Sequence, residues 1–227
     1  MIPQTRGKIF LADERGYNEV SWYRSYNTFN FGRYQNEYKT PIGSLYVLND
    51  DTLAPGGSIR MGVDDDTCMV LLPMVGAIEY VDSLGNKAAL QAGEAQLLNI
   101  PKGGFIRITN PFEDDLVSFL QLWIKAPVNG RANQKAAFDL DENKNRLIGL
   151  FDAINLSIGQ FDGRAEAEYK PNNPGAAMFM FVIDGEFEVQ HRLLHARDGL
   201  ALWDVAEIEM EALSNNAIIL VLEVPMG

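Results

Sequence analysis

Histidine is almost missing from this chain of 227 residues: it has two, and the first is His191. A site that needs several imidazoles is therefore excluded from everything before that position. Cysteine is scarcer still. The single Cys68 rules out an internal disulfide framework and fits a reducing compartment. No apolar run approaches the ~20 residues that cross a bilayer. The N-terminal stretch MIPQTRGKIFLADERGY is polar and charged and lacks the apolar centre of a signal peptide. These features predict a cytoplasmic protein with no membrane partner. Basic residues are outnumbered 19 to 31, giving a net charge of -12, which repels phosphate backbones and predicts no nucleic-acid partner. The densest basic stretch, Arg192 to Arg197, is interleaved with apolar residues and reads as a strand end. P-loop spacing, a Gly-x-Gly-x-x-Gly turn and a Gly-x-Ser-x-Gly elbow are all missing, and the glycines of APGGSIRMG match none of them.

What the chain has is ordinary globular material, 47% apolar and 22% charged. A chain of this length buries roughly 70% of its unfolded surface, so neither a disulfide nor a metal is required for folding. The apolar residues fall in short segments such as SLYVL (Ser44–Leu48), CMVLL (Cys68–Leu72), AIEYV (Ala77–Val81), LVSFLQLWI (Leu116–Ile124), AMFMFVI (Ala177–Ile183) and AIILVLEV (Ala217–Val224). Turn-forming clusters such as APGG, DSLGN, PKGG, NPFEDD and KPNNPG bound most of them. Many short strands at this spacing predict an all-β sandwich or barrel. Met178 and Met180 alternate at strand spacing and read as core. One short helix is expected, at Gln134–Phe138.

The chain also reads as two similar halves. In the first, MVGAIE leads through a turn at Asp82–Asn86 to further strands. In the second, VIDGEFE leads through a turn near His191 to ARDG and LALW. A repeat this long predicts duplicated domains, over residues 1–130 and 131–227, with a linker within residues 127–145.

Several segments then point to a family. VSWYRSYNTFNF (Val20–Phe31), LYVLNDDTLAP (Leu45–Pro55, read as a strand followed by an Asn-Asp turn), GAIEYVDSLGN (Gly76–Asn86), FLQLWI (Phe119–Ile124) and the C-terminal Asp198–Pro225 occur in one order over nearly the whole chain. Together they resemble the pirin family. The resemblance implies a bicupin, two jelly-roll barrels in one chain. It also implies an iron-class metal in the N-terminal barrel, held by a His-x-His pair, a third histidine and a glutamate. Some members are similar to quercetin 2,3-dioxygenases; others are described as regulators that bind transcription factors.

Carried over by ungapped counting from Gly76 and Gly93, those four ligand positions fall on Gly62, Asp64, Ile106 and Ile108. Because no histidine precedes His191, no shift of register restores the site. Ile106 and Ile108 share one strand face, which the resemblance directs into the barrel, where apolar packing replaces ligands. Gln121 matches a family position and is a candidate pocket-lining residue. The expectation is a vestigial pocket, with no metal, no cofactor and no catalytic residue.

Other candidates read as structural. Asp64, Asp65 and Asp66 form a solvated acidic turn, since adjacent side chains cannot converge on the six to eight oxygens a calcium ion takes. His191 and His195 would lie roughly 13 Å apart on one strand. Cys68 reads as a buried structural thiol with nothing to activate it. Nothing marks Glu79 or Glu94 as a raised acid. The leading functional expectation is a metal-free binding or regulatory protein whose partner is a protein or small ligand. A quercetin 2,3-dioxygenase-like enzyme with an atypical metal site is the alternative. A metal-independent isomerase, with Tyr46 and Tyr80 but no barrel histidine, comes third.

Overall fold

The computed structural model describes residues 5–226; the first four residues of the N-terminal stretch considered for a signal peptide lie outside them. The first strands are β1 (Gly7–Phe10), β2 (Gly16–Val20), β3 (Tyr23–Asn27), β4 (Leu45–Leu53), β5 (Ser58–Gly62), β6 (Thr67–Val75), β7 (Ala77–Asp82), β8 (Lys87–Gln91), β9 (Glu94–Ile100), β10 (Phe105–Thr109), β11 (Val117–Lys125) and β12 (Gln134–Ala137). They are followed by β13 (Arg146–Phe151), β14 (Leu156–Phe161), β15 (Glu166–Tyr169), β16 (Ala177–Asp184), β17 (Phe187–Val189), β18 (Arg192–Leu194), β19 (Gly199–Leu202), β20 (Ile208–Ala212) and β21 (Ala217–Val224). The all-β expectation holds. No helix among the described residues is long and apolar enough to cross a membrane.

The strands form two compact units. One spans Gly16–Ala137 and the other joins Met1–Arg15 to Phe138–Gly227. In the first unit a seven-stranded sheet, β12-β9-β6-β11-β4-β3-β2, is accompanied by a four-stranded sheet, β5-β10-β7-β8. In the second a six-stranded sheet, β1-β19-β16-β21-β14-β13, is accompanied by a four-stranded sheet, β15-β20-β17-β18. Each unit is thus a two-sheet, antiparallel barrel of the jelly-roll kind.

Burial explains the strand patterns. Central strands β6 and β16 are buried on both faces over most of their length and are apolar almost throughout. By contrast, β7 and β10 alternate buried with more exposed residues, so only one face of their sheet is covered. The Asp-Ser-Leu-Gly-Asn segment is the turn joining β7 to β8. Asp82 accepts hydrogen bonds from the backbone N–H of Leu84 and Asn86 and from the Asn86 side-chain amide. Gly85 sits at φ +83, a conformation that favours glycine. Met69, Leu71, Leu98, Ile106, Ile108, Phe119 and Trp123 belong to the first core, and Met178, Met180, Val182, Leu200 and Val221 to the second.

Two local expectations are corrected. The stretch from Gln134 is not helical: Gln134–Ala137 pairs antiparallel with β9, where Lys135 reaches Glu94 at 2.8 Å. Pairing to an existing sheet edge outweighs the helix propensity of two alanines and a lysine. The boundary expected at residue 130 also moves. β12 keeps the first unit running to Ala137, and β1 belongs to the second unit because Gly7–Phe10 pairs with Leu202–Gly199. Asp198 reinforces this by accepting a hydrogen bond from the Ala12 N–H at 2.7 Å.

This topology has a direct consequence. A fragment of residues 138–227 lacks β1, so the backbone edge of the fully buried strand β19 is bare and the fragment should aggregate. Fusing residues 5–15 to it through a flexible linker should restore a monodisperse peak in size-exclusion chromatography. Equal behaviour of the two fragments would show that β1 adds nothing.

Candidate functional site

The interior of the first barrel contains a polar cluster built by strand parity. On β4, residues 47, 49, 51 and 53 share a face, so Asn49 and Asp51 point the same way as the buried core residues Val47 and Leu53. Register brings β3 and β11 alongside: Asn27 lies opposite Asn49, Ser25 opposite Asp51, and Gln121 opposite Asn49. Tyr23, Ser25, Asn27, Asn49, Asp51 and Gln121 are all buried.

Their hydrogen bonds converge on one carboxyl. The Tyr23 hydroxyl donates to Asp51 Oδ1 at 3.0 Å, and Gln121 Nε2 donates to Asp51 Oδ2. Ser25 is a third side-chain partner of Asp51. Behind these, Asn27 Nδ2 donates to both Ser25 Oγ and Asn49 Oδ1 at 2.8 Å, and Trp123 Nε1 donates to Gln121 Oε1 at 2.7 Å. Gln121 Nε2 also lies 3.5 Å from the Met61 sulfur. Phe31 and Tyr46 stack edge-on against Trp123, with centroids 5.7 and 5.9 Å away. One donor, Asn49 Nδ2, has no acceptor among the described residues.

Burial dominates the electrostatics. Loss of solvent pushes the Asp51 carboxyl up to about 7, although Ser25, Gln121 and Tyr23 all donate to it and oppose the rise. The same burial, with the Asp51 charge nearby, raises the Tyr23 hydroxyl above its ordinary value. Chemically this is an acid that exchanges its proton near neutrality, backed by fixed donors. Sequence reading missed Asp51 because Asn-Asp-Asp looked like a turn; it lies inside strand β4. The alternation Val47, Asn49, Asp51, Leu53 was the available signal.

The sequence-derived pocket positions separate. Ile106 and Ile108 are fully buried in the apolar core. Gly62 and Asp64 are exposed; the inward positions beside them are Met61 and Val63. The reason is parity: β10 pairs Ile106 with Met61 and Phe105 with Gly62, so Gly62 shares the outer face. Gln121 is fully buried, within the Asp51 cluster.

The remaining candidates lie elsewhere. Asp65 pairs with Lys125 at 2.7 Å, and Asp66 accepts the Lys102 N–H at 2.9 Å. Burial pushes the Cys68 thiol up to about 11, which leaves it unreactive. Glu79 is exposed, and the Lys135 ammonium holds the Glu94 carboxyl below its usual range. His191 and His195 are both exposed, at the β17–β18 turn and just after β18. In the second unit, a cavity of about 570 Å³ over the outer sheet face is lined by Glu166, Glu168, Glu188, Glu209 and Glu211, with His191 at its rim. These carboxylates are exposed or half-buried and far from the Asp51 chemistry in sequence and unit.

Asp51 makes stability depend on pH with a defined sign. Its folded value lies above its unfolded one, so the folded state holds the proton more tightly. The stability is therefore complete below about pH 4 and is lost as pH rises towards 7, by about 4 kcal/mol. Asp51→Asn should remove that slope and be more stable than the parent at pH 8, as read by urea unfolding at a series of pH values. A parallel decline in both proteins would assign the slope to other groups.

Comparison with known proteins completes the description. Residues 10–124 match the model of the Pirin family, and residues 141–224 match the quercetinase C-terminal cupin domain. The chain is 32% identical to the pirin-like protein YhaK of Escherichia coli over 201 residues, 84% of each chain. It is 26% identical to a quercetin 2,3-dioxygenase of Escherichia coli, over 92% of this chain and 95% of that one. Its fold matches a crystal structure of YhhW of Escherichia coli with a TM-score of 0.84 and 22% identity, over 98% of this chain and 99% of that one. YhhW solved with nickel(II) gives a TM-score of 0.81 and 21% identity, over 98% and 100%. The expectation of no cofactor is corrected by that complex: a metal goes with this fold in a similar protein. The residues present here do not fit an imidazole-rich metal site, since Met61, Val63, Ile106 and Ile108 turn thioether and hydrocarbon inward and Asp51 is already engaged by three side chains. With one family model covering the first barrel, a second the other, and YhaK aligned over most of the length, the chain belongs to the pirin family and is a bicupin.

Proposed function

We propose that this pirin-family chain is a binding or regulatory protein, acting in a reducing compartment on a protein or small-molecule partner, and that it does not oxygenate quercetin. The observation carrying this reading is the interior of the first barrel. On β5, on the residue just past it and on β10, the segments that resemble the family's ligand-bearing ones, the inward residues Met61, Val63, Ile106 and Ile108 are all apolar and buried. Each contributes roughly 1.5–3 kcal/mol by burial, so these positions stabilise the barrel and present no reactive group. Facing them is a polar cluster with one free donor, Asn49 Nδ2, which suits a ligand oxygen. The net charge of -12 argues against nucleic acid as the partner.

The names of relatives favour the competing reading, an oxygenase with an unusual metal site. Oxygen uptake separates the two. The protein is incubated with nickel(II), iron(II) or copper(II), desalted, and assayed with quercetin. Uptake no faster than the desalted buffer control is expected for all three. Sustained uptake in proportion to bound metal, lost on Asp51→Asn, would establish the oxygenase reading instead.

A further inference from the structure

A second cleft in the first unit lies well apart in chemistry from the barrel interior. It is an open cleft of about 440 Å³, bordered by the β7–β8 turn, the end of β9 and the loop before β12. That volume is within the range of small-molecule sites. Its walls are Leu84, Pro101 and Val128, and its polar groups come from Asn86, Asn133 and Arg131.

The walls are fixed before any ligand arrives. Asp82 holds the turn through Leu84 and Asn86. Asn99 holds the facing loop: its N–H donates to Asn133 Oδ1 at 2.8 Å, and its side-chain amide donates to the Ala132 carbonyl at 3.0 Å. Val128 is buried and its carbonyl accepts the Arg131 N–H, so the loop closes as a turn over an anchored side chain. Both hairpin and loop are therefore pre-organised, which lowers the ordering cost of binding.

Arg131 is out of balance with this setting. Acidic residues outnumber basic ones 31 to 19, yet its guanidinium makes no hydrogen bond or ion pair among the described residues. Arg131 is exposed on the cleft wall, and its charge opposes the effect of burial on the Cys68 thiol, which in turn meets Asn99 Oδ1. A guanidinium presents a planar fork of donors that matches a carboxylate. Apolar walls with an exposed Leu84 at the lip suit a hydrocarbon or aromatic body.

We propose that this cleft binds a small organic carboxylate, with Arg131 as the anion-binding group and Leu84, Pro101 and Val128 against its apolar part. The site is separate from the Asp51 cluster and does not rest on the binding or oxygenase reading of the barrel.

Benzoate titration followed by amide NMR tests it at constant ionic strength, with inorganic phosphate as a second probe. Saturable shifts centred on residues 84–86 and 128–133 are expected with benzoate. Arg131→Gln should weaken binding about tenfold or more. Leu84→Asp, at a position exposed enough to tolerate it, should weaken binding similarly by placing a like charge at the lip. Both variants should keep the parent's dispersed spectrum outside the cleft. Shifts that do not saturate, an unchanged affinity in Arg131→Gln, or phosphate binding as tight as benzoate would each overturn the assignment.

Discussion

Asp51 sits at the centre of the first barrel without solvent, and the side chains around it are arranged to tolerate that. Three strands contribute. β3 supplies the hydroxyls of Tyr23 and Ser25, β4 the carboxyl itself, and β11 the Gln121 amide, which Trp123 holds in place from the other side. Each donor is the right kind for an ionised acid, and together they still fail to offset the loss of water. The carboxyl is left titrating near neutrality, and its partner Gln121 lies against the Met61 thioether. A change of protonation there reaches Tyr23, Ser25, Gln121 and Trp123 within two hydrogen bonds. The electrostatic state of this barrel is therefore set by its own buried acid.

The second unit buries carboxylates in another way. Glu223 accepts from Tyr169 Oη, Asn155 Nδ2 and the backbone N–H groups of Asn172 and Asn173. It thereby pins the loop between β15 and β16 to the last strand. Asp198 accepts from the N–H groups of Ala12 and His195, fixing the N-terminal stretch and the turn after β18. These acids meet backbone donors at loop ends, Glu223 with two side-chain donors besides, and tie chain segments together. Asp51 meets side-chain donors inside a barrel, so the two duplicated folds have used buried charge for different ends. The outer acidic face over β15, β20 and β17 adds a cost of its own: Glu166 and Glu188 both lie opposite Glu211, and Arg164 pairs with Glu211 at 2.8 Å.

Much of this was legible in the residues. Apolar segments of strand length, and the glycine-bearing turns between them, marked the strands of both barrels. The Asp-Ser-Leu-Gly-Asn segment announced a turn whose hydrogen bonds Asp82 supplies. Ile106 and Ile108 were placed on an inward face, and they lie there. What escaped is long-range. Asp51 is 70 residues from Gln121 and 28 from Tyr23, so nothing local distinguishes it from a turn aspartate. Counting along the chain put family ligand positions on Gly62 and Asp64, which are exposed, whereas their neighbours Met61 and Val63 are the buried ones. Arg131 lay in what read as a linker, because only the anchoring of that loop by Asn99 reveals a cleft. Strand β1 was assigned to the wrong half since its partner, β19, is remote in sequence.

The first barrel is organised around the state of one carboxyl, Asp51, which carbon-13 NMR reads directly. Selective labelling of aspartate, with Asp51→Asn to assign the resonance, allows its side-chain carbon to be followed from pH 3 to 9. A midpoint at about 7 is the result this account requires. A midpoint near the ordinary carboxylate value of about 4 would mean that water reaches Asp51, and that the first barrel is not organised around a desolvated acid.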